Sequence, residues 1–333
     1  MRRTYTFDEV ALVPQFNNIP SRTEPKLTSW LTRTEEVGVP IVAANMDTVI
    51  GEPLADLLLH NGSIPIFHRF TDFDSQKAWV ERYPEKTFVS SGIHQDNEIR
   101  QLLDLGALGV CIDVAHGHSD PMMKFIESLK RAFPERSIIA GNVCTAMAYH
   151  DLVNAGADAV KVGIGPGAAC TTRVVTGFGV PQFSAVRECA SVAEKLRVPL
   201  IADGGIRSSR DIVLALAAGA STVMIGKLFA ITEESAAQKR GGGDAIREAK
   251  YRGQASEDFQ SDFYGGLKDK TVAEGTDFWT PVSGSAQSLI DDLLGGLRSG
   301  MTYGGARTIK ELQRKAEFIE VGPAYIDESR PRP

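Results

Sequence analysis

The chain has 333 residues, 43% hydrophobic and 23% charged, which is ordinary for a globular protein with a sizeable core. A formal net charge of −6 leaves no global positive field for nucleic acid or an anionic membrane. No apolar run approaches the roughly 20 residues of a membrane span. The N-terminal MRRTYTFDEVALVP carries two arginines without an apolar h-region, so it does not read as a signal peptide. Four scattered cysteines, Cys111, Cys144, Cys170 and Cys189, fit neither a disulfide framework nor a zinc cluster. Reduced thiols in a cytoplasmic protein are expected.

Eight short apolar, β-rich runs follow in order at 39–45, 64–70, 87–92, 108–115, 137–143, 159–165, 199–205 and 222–228. Several are nearly continuous in apolar residues, as strands buried on both faces should be. Amphipathic stretches such as PMMKFIESLKRAF and SSRDIVLALAAG lie between them. Gly106-Ala107, Gly156-Ala157 and Gly219-Ala220 recur before strands, where the glycine can close a helix. Eight such units predict an α/β fold of the (β/α)8 TIM-barrel type, one catalytic domain over residues 1–333. Polar and glycine residues gather just after the strands, the barrel face on which active sites are built.

Two segments break this rhythm. GPGAACTTRVVTGFGVPQ follows the sixth run, and the polar, glycine-rich stretch of about 233–284 follows the eighth. Loops of such length are usually functional or mobile, and a flap over the barrel mouth is expected from the second. AQSLIDDLLGGLRSG and TIKELQRKAEFI read as two C-terminal closing helices.

The chemistry is carried by residues 163–173, Gly-Ile-Gly-Pro-Gly-Ala-Ala-Cys-Thr-Thr-Arg. Glycines allow close backbone approach to an ion or phosphate. The loop leads into Cys170, where backbone dipoles and nearby cations can favour a thiolate. The bland alternative is a buried structural cysteine.

This loop, with AANMDTV (43–49), IDVAHGHS (112–119), AGNV (140–143), IADGGI (201–206) and GGLRSGMTYGGARTIKEL (295–312), resembles the IMP dehydrogenase/GMP reductase family. The likeness spans nearly the whole chain and leans toward the reductase branch, whose chains typically lack an inserted regulatory CBS pair. It implies a purine-salvage oxidoreductase in which Cys170 attacks C2 of GMP, expels ammonia and holds a thioimidate. NADPH then reduces C2 and IMP is released. Thr172 and Glu274 match the proton-handling pair. Asp203, Gly204, Gly205, Gly226, Lys227, Gly253, Gln254, Ala255 and Gly275 match the nucleotide-binding positions. Asp113, Val114 and Ala115 match the nicotinamide side, with Arg69, Ser21 and Arg22 as further candidates. The family is tetrameric, so Ser299, Gly300, Met301 and Thr302 would serve a neighbouring subunit of a homotetramer. Carbonyls of Gly165, Gly167 and Cys170, beside Arg173, match a potassium site.

Several positions depart from the family pattern. Ala168 and Lys227 replace small hydroxylic or glycine residues near the phosphate, Gln254 replaces a methionine beside the base, and Thr271 replaces an arginine. The alternative within the family is an IMP dehydrogenase using NAD, or a reductase of a related or modified purine nucleotide. Dehydrogenases activate water with an Arg-Tyr pair before FQSD; here Glu257-Asp258 stand there, and residues 254–297 contain no arginine. A third reading, from another class, is a nucleotide-binding sensor without turnover; the intact Cys170, Thr172 and Glu274 argue against it.

Overall fold

A computed structural model describes residues 1–242 and 246–329. Its centre is a parallel seven-stranded sheet. Along the ladder the strands run Ile41–Ala43, Thr222–Ile225, Leu200–Asp203, Ala159–Val162, Ser137–Val143, Gly109–Asp113 and Phe88–Ser91. The first strand in sequence pairs with the last, Val42 opposite Met224, so the sheet curls back toward its own start. The strands are apolar because helices cover one face and the sheet's own interior the other. Ile41, Val42, Val110 and Ile112 are fully buried.

Seven of the eight expected runs are therefore strands in barrel order, giving a TIM-barrel-like α/β architecture. The run at 64–70 differs. It contributes only a parallel bridge at Ile66 to Phe88, flanked by backbone bonds from Phe67 N–H to Phe88 O (2.9 Å) and from Phe88 N–H to Pro65 O (3.0 Å). Side chains hold what lies beyond it. Phe67 stacks on Trp79 at 4.4 Å, and His68 Nδ1 accepts from Phe70 N–H at 3.1 Å. Toward the first strand, Gly38 N–H donates to Gly62 O (2.7 Å) and Ser63 Oγ to Ile41 O (2.6 Å).

The repeated Gly-Ala signal has the expected physical basis. Gly106, Gly156 and Gly219 have φ of +117°, +116° and +115°, and each follows a helix: Asp96–Leu105, Ala146–Asn154 or Ser209–Ala217. The chain ends meet where Val10–Leu12 pairs antiparallel with Phe318–Glu320. Helix Ala286–Tyr303 lies so close to Ser209–Ala217 that a Cβ at Gly300 would come within 2.6 Å of Val213.

Much of 233–284 is regular structure rather than irregular loop. Lys239–Arg240, Glu248–Arg252 and Asp277–Pro281 form an antiparallel sheet, followed in space by helix Glu257–Tyr264. The reason is aromatic. Phe259 is fully buried, edge-on to Phe70 at 4.6 Å and stacked on Phe263 at 4.6 Å. Within the KRGGGD stretch, residues 243–245 lie outside the described residues.

Two expectations follow for stability. A Cβ at Gly109 would sit 2.2 Å from Ser137 O and 2.5 Å from Phe88 Cε1, whereas one at Gly295 meets nothing within 4 Å. Gly109→Ala should cost about 1–3 kcal/mol or more, and Gly295→Ala should stabilise by about 0.5–1 kcal/mol, measured by chemical denaturation. Burial lowers the His68 pKa from its ordinary 6.5 to about 4. The unfolded chain then takes up a proton below pH 6.5 that the native chain refuses until about pH 4. Stability should fall by up to about 3 kcal/mol as pH drops through that window, and a His68→Gln variant should flatten the slope.

Candidate active site

The carboxyl ends of the parallel strands open into a cavity of about 830 Å3. It brings Cys170, Thr172 and Glu274 together with every nucleotide-side residue expected from sequence: Asp203, Gly204, Gly205, Gly226, Lys227, Gly253, Gln254, Ala255 and Gly275. A second lobe of about 320 Å3 shares Cys170, Thr172, Asp203 and Gln254 and continues to Arg69, Asp113, Val114 and Ala115. Cys170 thus stands where the two lobes meet.

Backbone lacing fixes the cysteine. Cys170 N–H donates to Gly167 O at 3.1 Å, Thr171 N–H to Glu274 O at 2.9 Å, and Thr276 N–H to Ala169 O at 2.9 Å. Residues 274–276 are tied on their other side by Glu274 N–H to Ala255 O and Gly253 N–H to Thr276 O, both 3.0 Å. Three chain segments therefore run in contact. That approach needs glycine, since a Cβ at Gly253 would fall 2.9 Å from Ala169 O. The Cys170 thiol donates to Thr172 Oγ1 at 3.3 Å. Burial pushes the other thiols up, Cys111 to about 12 and Cys144 and Cys189 likewise upward, as inert structural cysteines require.

Arg173, expected beside the potassium site, makes its own contacts within the loop. Its Nε donates to Ile164 O at 3.3 Å and its Nη2 to Val180 O at 2.6 Å. The stem runs under the loop, so that a Cβ at Gly165 would lie 2.5 Å from Arg173 Cγ. The guanidinium is an internal strut of the cysteine loop, and burial lowers its pKa. Among the carbonyls expected to hold a cation, Gly167 O already accepts the Cys170 N–H.

Beneath the cavity lies a buried polar network that sequence reasoning missed. Lys161, with a side chain only 2% exposed, reaches Asp113 at 2.8 Å and Asp203 at 3.0 Å. Burial alone would lower its pKa, but the two carboxylates hold it above the ordinary lysine value. Asn142 Nδ2 also donates to Asp203 (2.9 Å), and Asn45 Nδ2 to Asp113 (3.2 Å) and Ser90 (3.0 Å). Gly141 makes room, because a Cβ there would fall 2.6 Å from Lys161 Cβ. A lysine inside the apolar run AVKVGIG was the available signal.

A second knot anchors the added sheet. Arg252 donates to Asp47 (2.9 and 2.7 Å), Asp258 (2.7 Å) and Asp262 (2.6 Å), and lies over Phe259 at 5.2 Å. Lys250 also pairs with Asp258, at 2.5 Å. Among the departures from the family pattern, Gln254 Nε2 donates to Asn45 O at 2.9 Å, and Lys227 Nζ lies 5.3 Å from the Phe278 ring. Gly226 leaves room for the Tyr251 hydroxyl, which a Cβ there would meet at 2.7 Å.

The remaining expected cofactor residues do not join Cys170 within one chain. Ser21 and Arg22 lie beside the end of helix Ala286–Tyr303, with Arg22 over the Tyr303 ring at 6.0 Å. Ser299, Gly300, Met301 and Thr302 belong to that helix and line neither lobe; Met301 is fully buried in this chain's own core.

Residues 4–332 match the family model described as IMP dehydrogenase / GMP reductase domain. Inosine-5'-monophosphate dehydrogenase of Aquifex aeolicus is 47% identical over 252 residues, 72% of this chain but only 50% of that protein. GMP reductase 1 of Homo sapiens is 37% identical over 95% of this chain and 94% of its own length. A crystal structure of a Trypanosoma brucei GMP reductase in complex with guanosine 5'-monophosphate matches with a TM-score of 0.91 at 26% identity, covering 100% of this chain and 98% of that one. Fold, site geometry and sequence therefore agree that the chain belongs to the IMP dehydrogenase/GMP reductase family.

Proposed function

We propose that this chain catalyses the NADPH-dependent reductive deamination of GMP to IMP and ammonia. The supporting observation is the single cavity that gathers Cys170, Thr172 and Glu274 with the whole expected nucleotide-binding set. Cys170 Sγ forms a bond to purine C2, and the C2–N bond to the amino group breaks as ammonia leaves, so a thioimidate remains on the cysteine. Thr172 Oγ1, 3.3 Å from the sulfur, accepts the thiol proton as its own hydroxyl proton passes on through Glu274 to the departing amine, so the pair relays one proton from sulfur to nitrogen. Asp203 accepts the ribose hydroxyls, held in place by Lys161 and Asn142. The amides of Gly204, Gly205 and Gly226, with the Lys227 ammonium, receive the phosphate. Reduction at C2 breaks the C–S bond and restores the thiol.

The second lobe suits the cofactor. Arg69 Nε and Asn142 Oδ1 are buried there without partners, one donor and one acceptor of the kind a carboxamide satisfies. NADPH, held by Asp113, Val114, Ala115 and Arg69, would supply the two-electron reduction. In a homotetramer, Ser299, Gly300 and Thr302 of a neighbouring copy would extend that lobe. Potassium at the carbonyls of Gly165, Gly167 and Cys170 would stiffen a turn that Arg173 already braces. A cytoplasmic site of action follows from the reduced thiols this chemistry needs.

The second reading, an NAD-dependent IMP dehydrogenase, is favoured by the 47% identity to the Aquifex aeolicus enzyme. It needs a base that activates water. Asp258, where that branch carries its Arg-Tyr pair, is occupied by Lys250 and Arg252, and Arg252 lines neither lobe.

Purified protein with GMP and NADPH should consume NADPH and release ammonia, and Cys170→Ala should show no turnover and no protein-bound purine by intact mass. NADH formation from IMP and NAD, without the former activity, overturns the assignment. Glu274→Gln should lower kcat by about 10²–10⁴-fold. Lys161→Met leaves two carboxylates uncompensated and should cost about 3–5 kcal/mol of stability, while Lys161→Arg should restore most of it.

A further inference from the structure

The opposite end of the barrel carries a cavity that none of this chemistry uses. It encloses about 700 Å3 and is bordered by Pro199 and Ser221, which precede the strands Leu200–Asp203 and Thr222–Ile225. It therefore lies at the strand starts, about a strand's length (roughly 13 Å) from Asp203 and Gly226. Its charged lining is Arg33, Arg187, Arg197, Lys310 and Arg314 against the single carboxylate of Glu194, a net of four positive charges in a chain of net charge −6.

These cations are not neutralised internally. Among the described residues, Arg33, Arg187, Arg197 and Arg314 form no ion pair. Glu194 meets Lys310 at 3.9 Å with both side chains mostly exposed, a pairing worth little. Arg197 caps helix Gln182–Leu196 and Arg314 lies in the last turn of Ile309–Lys315, so helix dipoles account for those two. They do not account for Arg33, in the turn between Ser29–Trp30 and Glu36–Val37, nor for Arg187, in the second turn of its helix over the Phe318 ring at 5.4 Å. Arg197 also holds φ at +54°, a left-handed conformation costly for a residue with a Cβ. Three elements, the turn holding Arg33 and the helices Gln182–Leu196 and Ile309–Lys315 with their ends, thus bring like charges around one hollow, whose summed positive potential attracts an anion. Trp30, 48% exposed, stands among the same lining residues as a flat apolar surface.

We infer that this cavity is a binding site, separate from the Cys170 site, for an anion carrying two or more linked phosphates, free or as part of a nucleotide. Arginine forks bind phosphate oxygens bidentately, and four net charges match a triphosphate rather than one phosphate group. Trp30 provides a stacking surface when the phosphates carry a base.

The test is calorimetric titration of the full chain with inorganic triphosphate and, separately, ATP, followed in parallel by tryptophan fluorescence. One equivalent should bind, and an Arg33→Gln/Arg197→Gln double variant should weaken it at least about tenfold. The substituted side chains are exposed, so the thermal midpoint and the turnover of that variant should match the parent. Equal binding of both probes identifies phosphate recognition alone; tighter ATP binding, lost in Trp30→Phe, identifies a nucleotide. No binding of either probe, or binding unaffected by the double variant, overturns the proposal. So does binding abolished by Lys227→Ser, which would place the anion in the catalytic cavity.

Discussion

Lys161 sets the geometry on which the two-lobed site depends. Its ammonium is enclosed on the strand Ala159–Val162, and the carboxylates it holds belong to Gly109–Asp113 and Leu200–Asp203. A buried charge without partners is strongly disfavoured, so the lysine can exist there only if both aspartates turn inward. Asp203 then borders both lobes and Asp113 the smaller one. One cation thereby fixes the spacing of the two carboxylates, and Cys170 stands where the lobes meet. Asn142 and Asn45 complete the arrangement by donating to the same carboxylates. Such a network, with its main partners satisfied, rigidifies the floor that the two lobes share.

The roof over this site is held by different physics. The strand segment 274–276 is laced by backbone bonds to the cysteine loop on one side and to 253–255 on the other. Glu274 is therefore delivered to the cavity by main-chain register, independent of its own side chain. The Arg252 knot then ties the added sheet to Asp47, just after the first strand. Burial raises the Asp47 pKa and Arg252 opposes the rise, so this contact is poised between a costly desolvation and a strong pairing. Both supports are electrostatic or hydrogen-bonded rather than apolar, apart from the Phe70, Phe259 and Phe263 cluster. The cover is thus attached by directional contacts.

What the sequence made legible divides along the same lines. Parallel strands buried on both faces leave continuous apolar runs, so seven of eight were found within a few residues of their observed ends. The run at 64–70 looked equally strand-like, yet past Ile66 its side chains, not its backbone, make the contacts. The glycines of the cysteine loop are local signals of close backbone approach and marked the site, whereas Gly253 and Gly275 were placed there by the family resemblance. Lys161 pairs with Asp113 and Asp203, 48 and 42 residues away, and Arg252 pairs with Asp47, 205 residues away. No local pattern encodes such partners. Arg173 was placed beside a potassium site by resemblance, and no local pattern showed that its side chain folds beneath the loop to meet the carbonyls of Ile164 and Val180.

The acidic pair Glu257-Asp258 shows how a small change in the roof can direct the reaction. Asp258, at the second position of that pair, binds both Lys250 and Arg252, so its carboxylate is a structural anion that ties the helix Glu257–Tyr264 to the added sheet. In the proposed reaction, hydrolysis of a cysteine-bound purine would need a nucleophilic water beside C2, whereas loss of ammonia would need only proton transfer, the role proposed for Thr172 and Glu274. On that reading the exchange of Arg-Tyr for Glu257-Asp258 removes the water-activating group and adds a tie to the added sheet. Both effects would favour reduction of the proposed intermediate over its hydrolysis.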